Sequence, residues 1–383
     1  MDEETRLIRA GRAPTKLPHT VGPPIQRGST VLLPSAKALY TDDLGYGRAG
    51  LAAQMALREA LGELEGAKAV QLYPSGLSAL TGAMLAVLKT GDEVLVADCA
   101  YKPTRRFCDT LLTRFGVGVR YYDPLTPPDE LLASASEATR LIVLESPGSL
   151  TFEVQDAPGI AAAARKRGVL TIMDNTWGAG LIFKPLAHGI DISVQALTKY
   201  VGGHSDLFMG AAATNDKSIA RQLEDGVHEL GWSVAPEAAY EMLNGLRTLS
   251  IRLKQHGKSG IEVAEWLAGQ PEVARVIHPA LPGDAGHELW KRDYAGACGL
   301  FAFVLQPKPV KAVHAFLDAL KLFGLGFSWG GFESLAIHCD PQLSRRVFKK
   351  DLGGPLIRLH IGLESPADLI GDLRAGLDAY SNT

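Results

Sequence analysis

The chain has 383 residues, longer than one hydrophobic core usually grows, so a large unit with a smaller companion is expected. Apolar residues make up 46% and charged residues 21%, an ordinary globular balance with no segment poor enough in apolar side chains to read as disordered. A formal net charge of -3 gives no electrostatic reason to expect nucleic acid or an anionic membrane as partner, which leaves small molecules as the expected ligands.

The N-terminus, MDEETRLIRAGRAP, is charged and lacks an apolar stretch, and no apolar run approaches the roughly 20 residues of a membrane span; neither a secretory signal nor a membrane segment is expected. Cys99, Cys108, Cys298 and Cys339 include no CxxC pair and are too few for a disulfide framework, so reduced thiols in a cytoplasmic protein are the plain expectation.

Residues 1 to about 50 are rich in Pro, Gly and polar residues, as in LPHTVGPPIQRGST, and read as an extended arm that lies on something else. From Leu51 the pattern changes: AAQMALREALGELEG reads as a helix, AVQLY as a short buried strand, and PSGLSALTGAMLAVL as the next helix. The alternation continues through EVLVADC, GVGVRYY, LIVLES, the helix GIAAAARKRG, then VLTIMDN, ISVQAL and FMGAAAT, which implies a mostly parallel sheet of seven strands covered on both faces. A long helical stretch from about Pro236 to Gly269, expected to break near Gly257 to Gly260, bridges to a smaller α/β unit made of LFAFVLQ, KAVHAFLDAL, SLAIHC, LIRLHIGL and ADLIGDLRAGLDAY. The expected division is an arm over 1–50, a large domain over 51–245 and a C-terminal α/β domain over 246–383.

Three segments carry chemistry. In QALTKYVGGHSD, Lys199 follows an apolar strand, where lost hydration favours the neutral amine that attacks carbonyls; taken alone, such a lysine is ordinarily a solvated strand-end residue. In VLTIMDNTW a strand ends on Asp174, and strand ends far apart in sequence converge at the crevice of an open α/β sheet. Pyridoxal phosphate (PLP) chemistry needs such a pair, an amine to form the imine and an acid to keep the pyridine nitrogen protonated, although Asp174 alone also suits a turn or cap. In YPSGLSALTG a strand yields to a helix whose first backbone N–H groups, at Ser75, Gly76 and Leu77, suit a phosphate as well as a simple N-cap.

Two rival chemistries are poorly supported. GYGRAG at Gly45 to Gly50 matches the GxGxxG of nicotinamide dehydrogenases, but SAKALYTDDL before it is too polar for a central parallel strand. The ten histidines show no HExxH pair for zinc, and no metal is expected; His204, beside the lysine, suits a capping or supporting role better than a ligand's.

Taken together, YGR from Tyr46, PSG from Pro74, Tyr101, ESPGSLTFEVQD from Glu145, DNTW from Asp174, TKYVGGHSD from Thr198, SWGGFES from Ser328 and IRLHIGLE from Ile357 resemble the Cys/Met-metabolism (trans-sulfuration) family of PLP enzymes over nearly the whole chain. The resemblance implies the aspartate-aminotransferase-like architecture called fold type I. It implies Lys199 as the Schiff-base lysine, Asp174 as the partner of the pyridinium, and Gly76, Leu77 and Thr198 as the phosphate grip. Tyr101 would stack on the ring, and both Tyr101 and Tyr46 would act in catalysis. Tyr46 and Arg48 would reach the phosphate of a neighbouring subunit, which implies shared active sites in a dimer and commonly a homotetramer. Arg358 would hold the substrate α-carboxylate, its planar fork fixing which Cα bond breaks; without the family context it reads equally as a strand-edge arginine paired with Glu364 or another acid. Ser328 and Trp329 would line the substrate.

Some positions depart from the family's pattern. Ala196 stands where many relatives carry a serine that touches the phosphate, AGLAAQ follows Arg48 where relatives differ, and Phe327 replaces a tyrosine found in some of them. Trp329 in SWGGFES resembles the β-eliminating branch, since γ-acting relatives usually read SLGG. The expected reaction is therefore α,β-elimination from L-cystathionine to homocysteine, pyruvate and ammonia, with γ-lyase, γ-synthase or broad cysteine-conjugate lyase activity as alternatives. Cystathionine, cystine, cysteine and S-alkyl cysteines differ only beyond Cβ, where pocket shape rules.

Overall fold

The computed structural model describes residues 1–11, 20–40, 45–344 and 346–383. Seven strands form the larger sheet: β1 (Ala69–Tyr73), β2 (Glu93–Ala97), β3 (Gly118–Tyr122), β4 (Thr139–Glu145), β5 (Leu170–Asp174), β6 (Ile192–Gln195) and β7 (Gly210–Thr214), in the spatial order β1-β7-β6-β5-β4-β2-β3. All neighbours pair in parallel except β7, which runs antiparallel to both β1 and β6. The expected fold class holds, with one strand reversed.

Short Val/Ile/Leu runs form this sheet because both of its faces are buried. On β5, Ile172 and Met173 point to opposite faces, are fully buried, and belong to two separate core clusters. One of those clusters includes the Ala52–Glu65 helix, whose Ala53, Ala56, Leu57, Ala60, Leu61 and Leu64 recur at helical spacing and are all buried. That helix stops at Gly66, which takes the left-handed conformation at φ +64°, one that a side chain would resist even though the space beside it is open.

Five further strands make the second sheet: β8 (Val273–Ile277), β9 (Leu300–Leu305), β10 (Gly324–Leu325), β11 (Leu335–His338) and β12 (Leu356–His360), in the order β10-β11-β12-β9-β8. Phe301 and Phe303 of β9 and Leu359 of β12 share a third core cluster with the Val310–Ala319 and Pro366–Ser381 helices.

Two expectations need correction. The Pro236–Ala268 helix runs 33 residues without the break expected near Gly257 to Gly260. Each glycine costs such a helix about 1 kcal/mol, but here both accept a crossing backbone: a Cβ on Gly257 would lie 2.3 Å from the Ala297 carbonyl oxygen, and one on Gly260 would lie 2.9 Å from that of Cys298. The arm is also not wholly extended, because Glu3–Arg9 is a helix that buries Leu7 against the Ala52–Glu65 and Pro236–Ala268 helices. Residues 12–19 and 41–44 of the expected arm lie outside the described residues. Around GYGRAG the structure has a 3-10 turn, Gly47–Ala49, with Tyr46 bridged to Thr30, and among the described residues no buried parallel strand enters it, so the dinucleotide fingerprint lacks its context there.

Candidate active site

The carboxyl ends of β4, β5 and β6, three neighbouring parallel strands, lie side by side at one edge of the larger sheet's plane. Asp174 closes β5, in register with Glu145 closing β4. Its Oδ1 accepts from the Thr176 backbone N–H at 3.0 Å and from the Thr176 hydroxyl at 2.5 Å. Thr176 Oγ1 in turn accepts from Ala196 N–H at 2.9 Å, tying the end of β5 to the end of β6. Beyond Ala196 the chain folds into a tight turn, with Lys199 N–H donating to Ala196 O and Gly203 N–H to Lys199 O, and this turn presents the lysine.

The Lys199 amine donates to Ser328 Oγ at 2.8 Å and lies 5.4 Å from the centre of the Trp329 ring. Burial lowers its pKa to about 8, the Arg358 charge adds to that, and Asp174 opposes it. Arg358 is buried on β12, donates from Nη2 to Ser328 O at 3.1 Å, and is itself pulled downward by burial. Glu364 serves instead as acceptor for the Ser334 N–H and hydroxyl, so the ion-pair reading of Arg358 does not apply. Asp174 is pushed upward by burial, an effect that the Thr176 hydrogen bonds and Lys199 oppose.

On the opposite wall, the Gly76–Val87 helix is capped by Ser75, whose hydroxyl accepts from Ser78 N–H. The Gly76 and Leu77 N–H groups, at the first turn, have no protein acceptor. Gly76 lies hard against Ala196, since a Cβ there would come within 2.3 Å of the Ala196 Cβ. Thr198 also lines the site, but its hydroxyl exchanges hydrogen bonds with Met209, accepting from N–H at 3.0 Å and meeting the carbonyl at 3.2 Å.

Lys199, Asp174, Gly76, Leu77, Tyr101 and Arg358 all line one cavity of 210 Å³, which shares Leu77, Tyr101, Phe327 and Arg358 with a wider one of 850 Å³. These residues fit PLP. A helix start with two unsatisfied N–H donors suits the phosphate, a buried carboxyl suits the ring nitrogen, and a lysine amine close to neutrality suits the aldehyde. No group of His, Cys, Asp or Glu that could hold a metal occurs among the described residues.

Other expected residues lie apart or at the rim. Tyr101 is half exposed at the mouth and starts the Lys102–Phe107 helix. Tyr46 and Arg48 line neither cavity; the Arg48 guanidinium lies 5.3 Å from the Tyr46 ring. His204 turns back onto Gly202 O at 2.7 Å, a local cap, and Phe327 stands exposed at the rim.

Thr176 and Glu145 carry no role among the residues expected from the sequence. Thr176 was recoverable, because Asp-x-Thr after a strand is an Asx-type turn in which the side chain answers its own backbone. Glu145 was not: its carboxyl accepts Tyr101 N–H at 2.7 Å, and burial, with Asp174 on the neighbouring strand, raises its pKa well above the usual range. Only strand pairing reveals that neighbour.

Residues 4–378 match the family model described as Cys/Met metabolism PLP-dependent enzyme. A protein of Rhizobium johnstonii is 47% identical, the alignment covering 98% of this chain and 96% of that protein. Cystathionine beta-lyase MetC of Escherichia coli is 43% identical, with 97% of each chain covered. Among solved structures, cystathionine gamma synthase of Xanthomonas oryzae pv. oryzae, in complex with aminoacrylate and cysteine, superposes with a TM-score of 0.93 at 32% identity, covering 100% of this chain and 99% of that one.

Proposed function

Since the chain belongs to the Cys/Met metabolism family of PLP-dependent enzymes, we propose that it is a carbon–sulfur lyase that splits L-cystathionine by α,β-elimination and, with one water consumed, yields homocysteine, pyruvate and ammonia. PLP, when bound, supplies the electron sink that makes the Cα proton of the amino acid removable. The remaining work falls to the chain's own residues. Lys199, with its pKa lowered to about 8, takes that proton as a neutral amine and returns it to the leaving sulfur. Arg358 grips the substrate carboxylate with its fork and so sets the Cα–H bond toward the amine. Asp174 would hold the ring nitrogen of PLP and supply the acid that keeps it protonated, Gly76 and Leu77 N–H with Thr198 would hold its phosphate, and Tyr101 would cover its ring.

The observation that carries this reading is Ser328. Its hydroxyl holds the Lys199 amine while its carbonyl holds the Arg358 guanidinium, so base and carboxylate anchor are spaced by one residue. Trp329, the next residue, packs on Tyr200 at 5.5 Å and faces the amine, leaving that side of the lysine apolar. Cβ cleavage needs one proton moved at Cα, whereas Cγ cleavage also needs one moved at Cβ, and the β outcome suits a single amine beside an apolar wall.

Tyr46 and Arg48, outside their own cavity, serve the phosphate of a neighbouring copy in a homotetramer with shared sites. In this division the Glu3–Arg9 helix of residues 1–50 packs on its own chain while Tyr46 and Arg48 of that segment serve the neighbour, 51–245 serve the cofactor and 246–383 the substrate carboxylate. Four buried cysteines, none in a disulfide, fit a reducing cytoplasm. Incubating the purified holoenzyme with cystathionine tests the reaction: pyruvate and homocysteine should accumulate together, and cysteine with 2-oxobutyrate would overturn it.

A further inference from the structure

Side chains two apart on a strand share a face, and on β12 Arg358 and His360 share the face toward the Ser328–Gly331 loop. Both are buried. Arg358 takes the start of the loop through Ser328 O at 3.1 Å, and His360 takes its end in either tautomer, its Nε2 accepting from Gly330 N–H at 3.0 Å in one or donating to Gly331 O at 3.1 Å in the other. In the tautomer that accepts from Gly330 the imidazole proton sits on Nδ1, which is buried with no protein partner.

The loop cannot move independently of the lysine. Gly330 takes φ +84°, and a Cβ there would lie 2.8 Å from Tyr200 N and 3.0 Å from Lys199 Cα. The backbone at Gly330 therefore rests on the turn that presents the amine, while Ser328 two residues earlier holds the amine's other end. Behind His360 stands His256 of the long helix, its ring centre 5.3 Å away, fully buried and anchored through Nδ1 to Ile361 O at 2.8 Å. Tyr200 closes the stack at 5.8 Å from His360. Burial lowers both imidazoles, His360 to about 3, so both stay neutral at working pH.

We propose that His360 is a positioning residue which, with Arg358 on the same strand face, clamps the Ser328–Gly331 loop against the Lys199 turn and so fixes the spacing between the amine and the carboxylate anchor. The kinetic part of this inference rests on the roles proposed above for Lys199 and Arg358; the clamp itself does not.

Two variants separate the effects. His360→Gln keeps an acceptor near the Nε2 position, and His360→Leu fills the space without one. In the wild-type holoenzyme, hydrogen exchange followed by mass spectrometry should find the Gly330 amide protected. His360→Leu should lose that protection and raise KM for cystathionine roughly tenfold, the effect of one buried hydrogen bond, with a smaller change in kcat; His360→Gln should restore both. An unprotected Gly330 amide in the wild type would overturn the clamp, whether or not the leucine variant folds. So would a folded leucine variant with unchanged protection and KM. A protected amide in an enzyme that leaves cystathionine intact would support the clamp and sink the reaction assigned above.

Discussion

Lys199 Nζ donates to Ser328 Oγ at 2.8 Å across 129 residues of sequence, joining the turn after β6 to the loop before β11. With Arg358 on the carbonyl of the same serine, the amine cannot shift without disturbing the residue expected to hold the substrate.

The amine's lowered pKa, about 8, makes cofactor capture pH-dependent. Below that value the amine is protonated and cannot attack; above it the neutral form dominates. The rate at which apoenzyme turns yellow on adding PLP should rise with pH around a midpoint near 8. Arg358→Leu removes the charge that adds to the effect of burial in lowering the pKa, so the midpoint should move upward. A midpoint close to that of free lysine in the wild type would show that burial does not act on this amine.

Arg358→Lys keeps the charge and loses the planar fork. Because hydrogen bonds to charged groups are worth about 1.5–3 kcal/mol, KM for cystathionine should rise roughly ten- to hundredfold, with kcat less affected. Steady-state kinetics read this directly, and an unchanged KM would place the substrate carboxylate elsewhere.

The contact between Gly76 and Ala196 lies beneath the proposed phosphate seat. Gly76→Ala would bring a methyl within 2.3 Å of the Ala196 Cβ, so the first helical turn must shift and the Kd for PLP should rise at least tenfold by the loss of one charge-assisted bond. Ala196→Ser offers a hydroxyl at the same wall, and the Kd should fall by roughly tenfold. Equilibrium titration of apoenzyme with PLP measures both.

Two helix glycines should respond oppositely to alanine. Gly257→Ala places a methyl 2.3 Å from Ala297 O and should cost about 1–3 kcal/mol. Gly371, exposed on the Pro366–Ser381 helix with nothing within 4 Å of its missing Cβ, should gain about 0.5–1 kcal/mol. Paired thermal melts test the contrast, and a stabilised Gly257→Ala would mean that the crossing backbone has room to give.

Much of this architecture is periodic and therefore local. Runs such as VLTIMDN identify strands because a doubly covered sheet wants apolar residues on both faces, and AAQMALREALGELEG identifies a helix because its apolar residues recur at three and four. The Lys217–Glu229 helix, absent from the expectations above, has the same kind of signal in buried Ile219, Leu223 and Val227 at four-residue spacing. The continuity of the long helix was less accessible, because a glycine reads as a break until the backbone crossing it is visible.

For the site, the chain order alone specifies which residue types stand at strand ends: Asp174 closing one run, Lys199 just past another, Ser75 to Leu77 opening a helix. Those are local properties of backbone pattern and side-chain chemistry. That Glu145 lies beside Asp174 was decided only by strand pairing within the larger sheet, and that Ser328 joins Lys199 to Arg358 and His360 holds Gly330 only by the tertiary packing of distant segments. Hydrogen bonds act over about 3 Å, and sequence distance says nothing about which distant side chains will come that close.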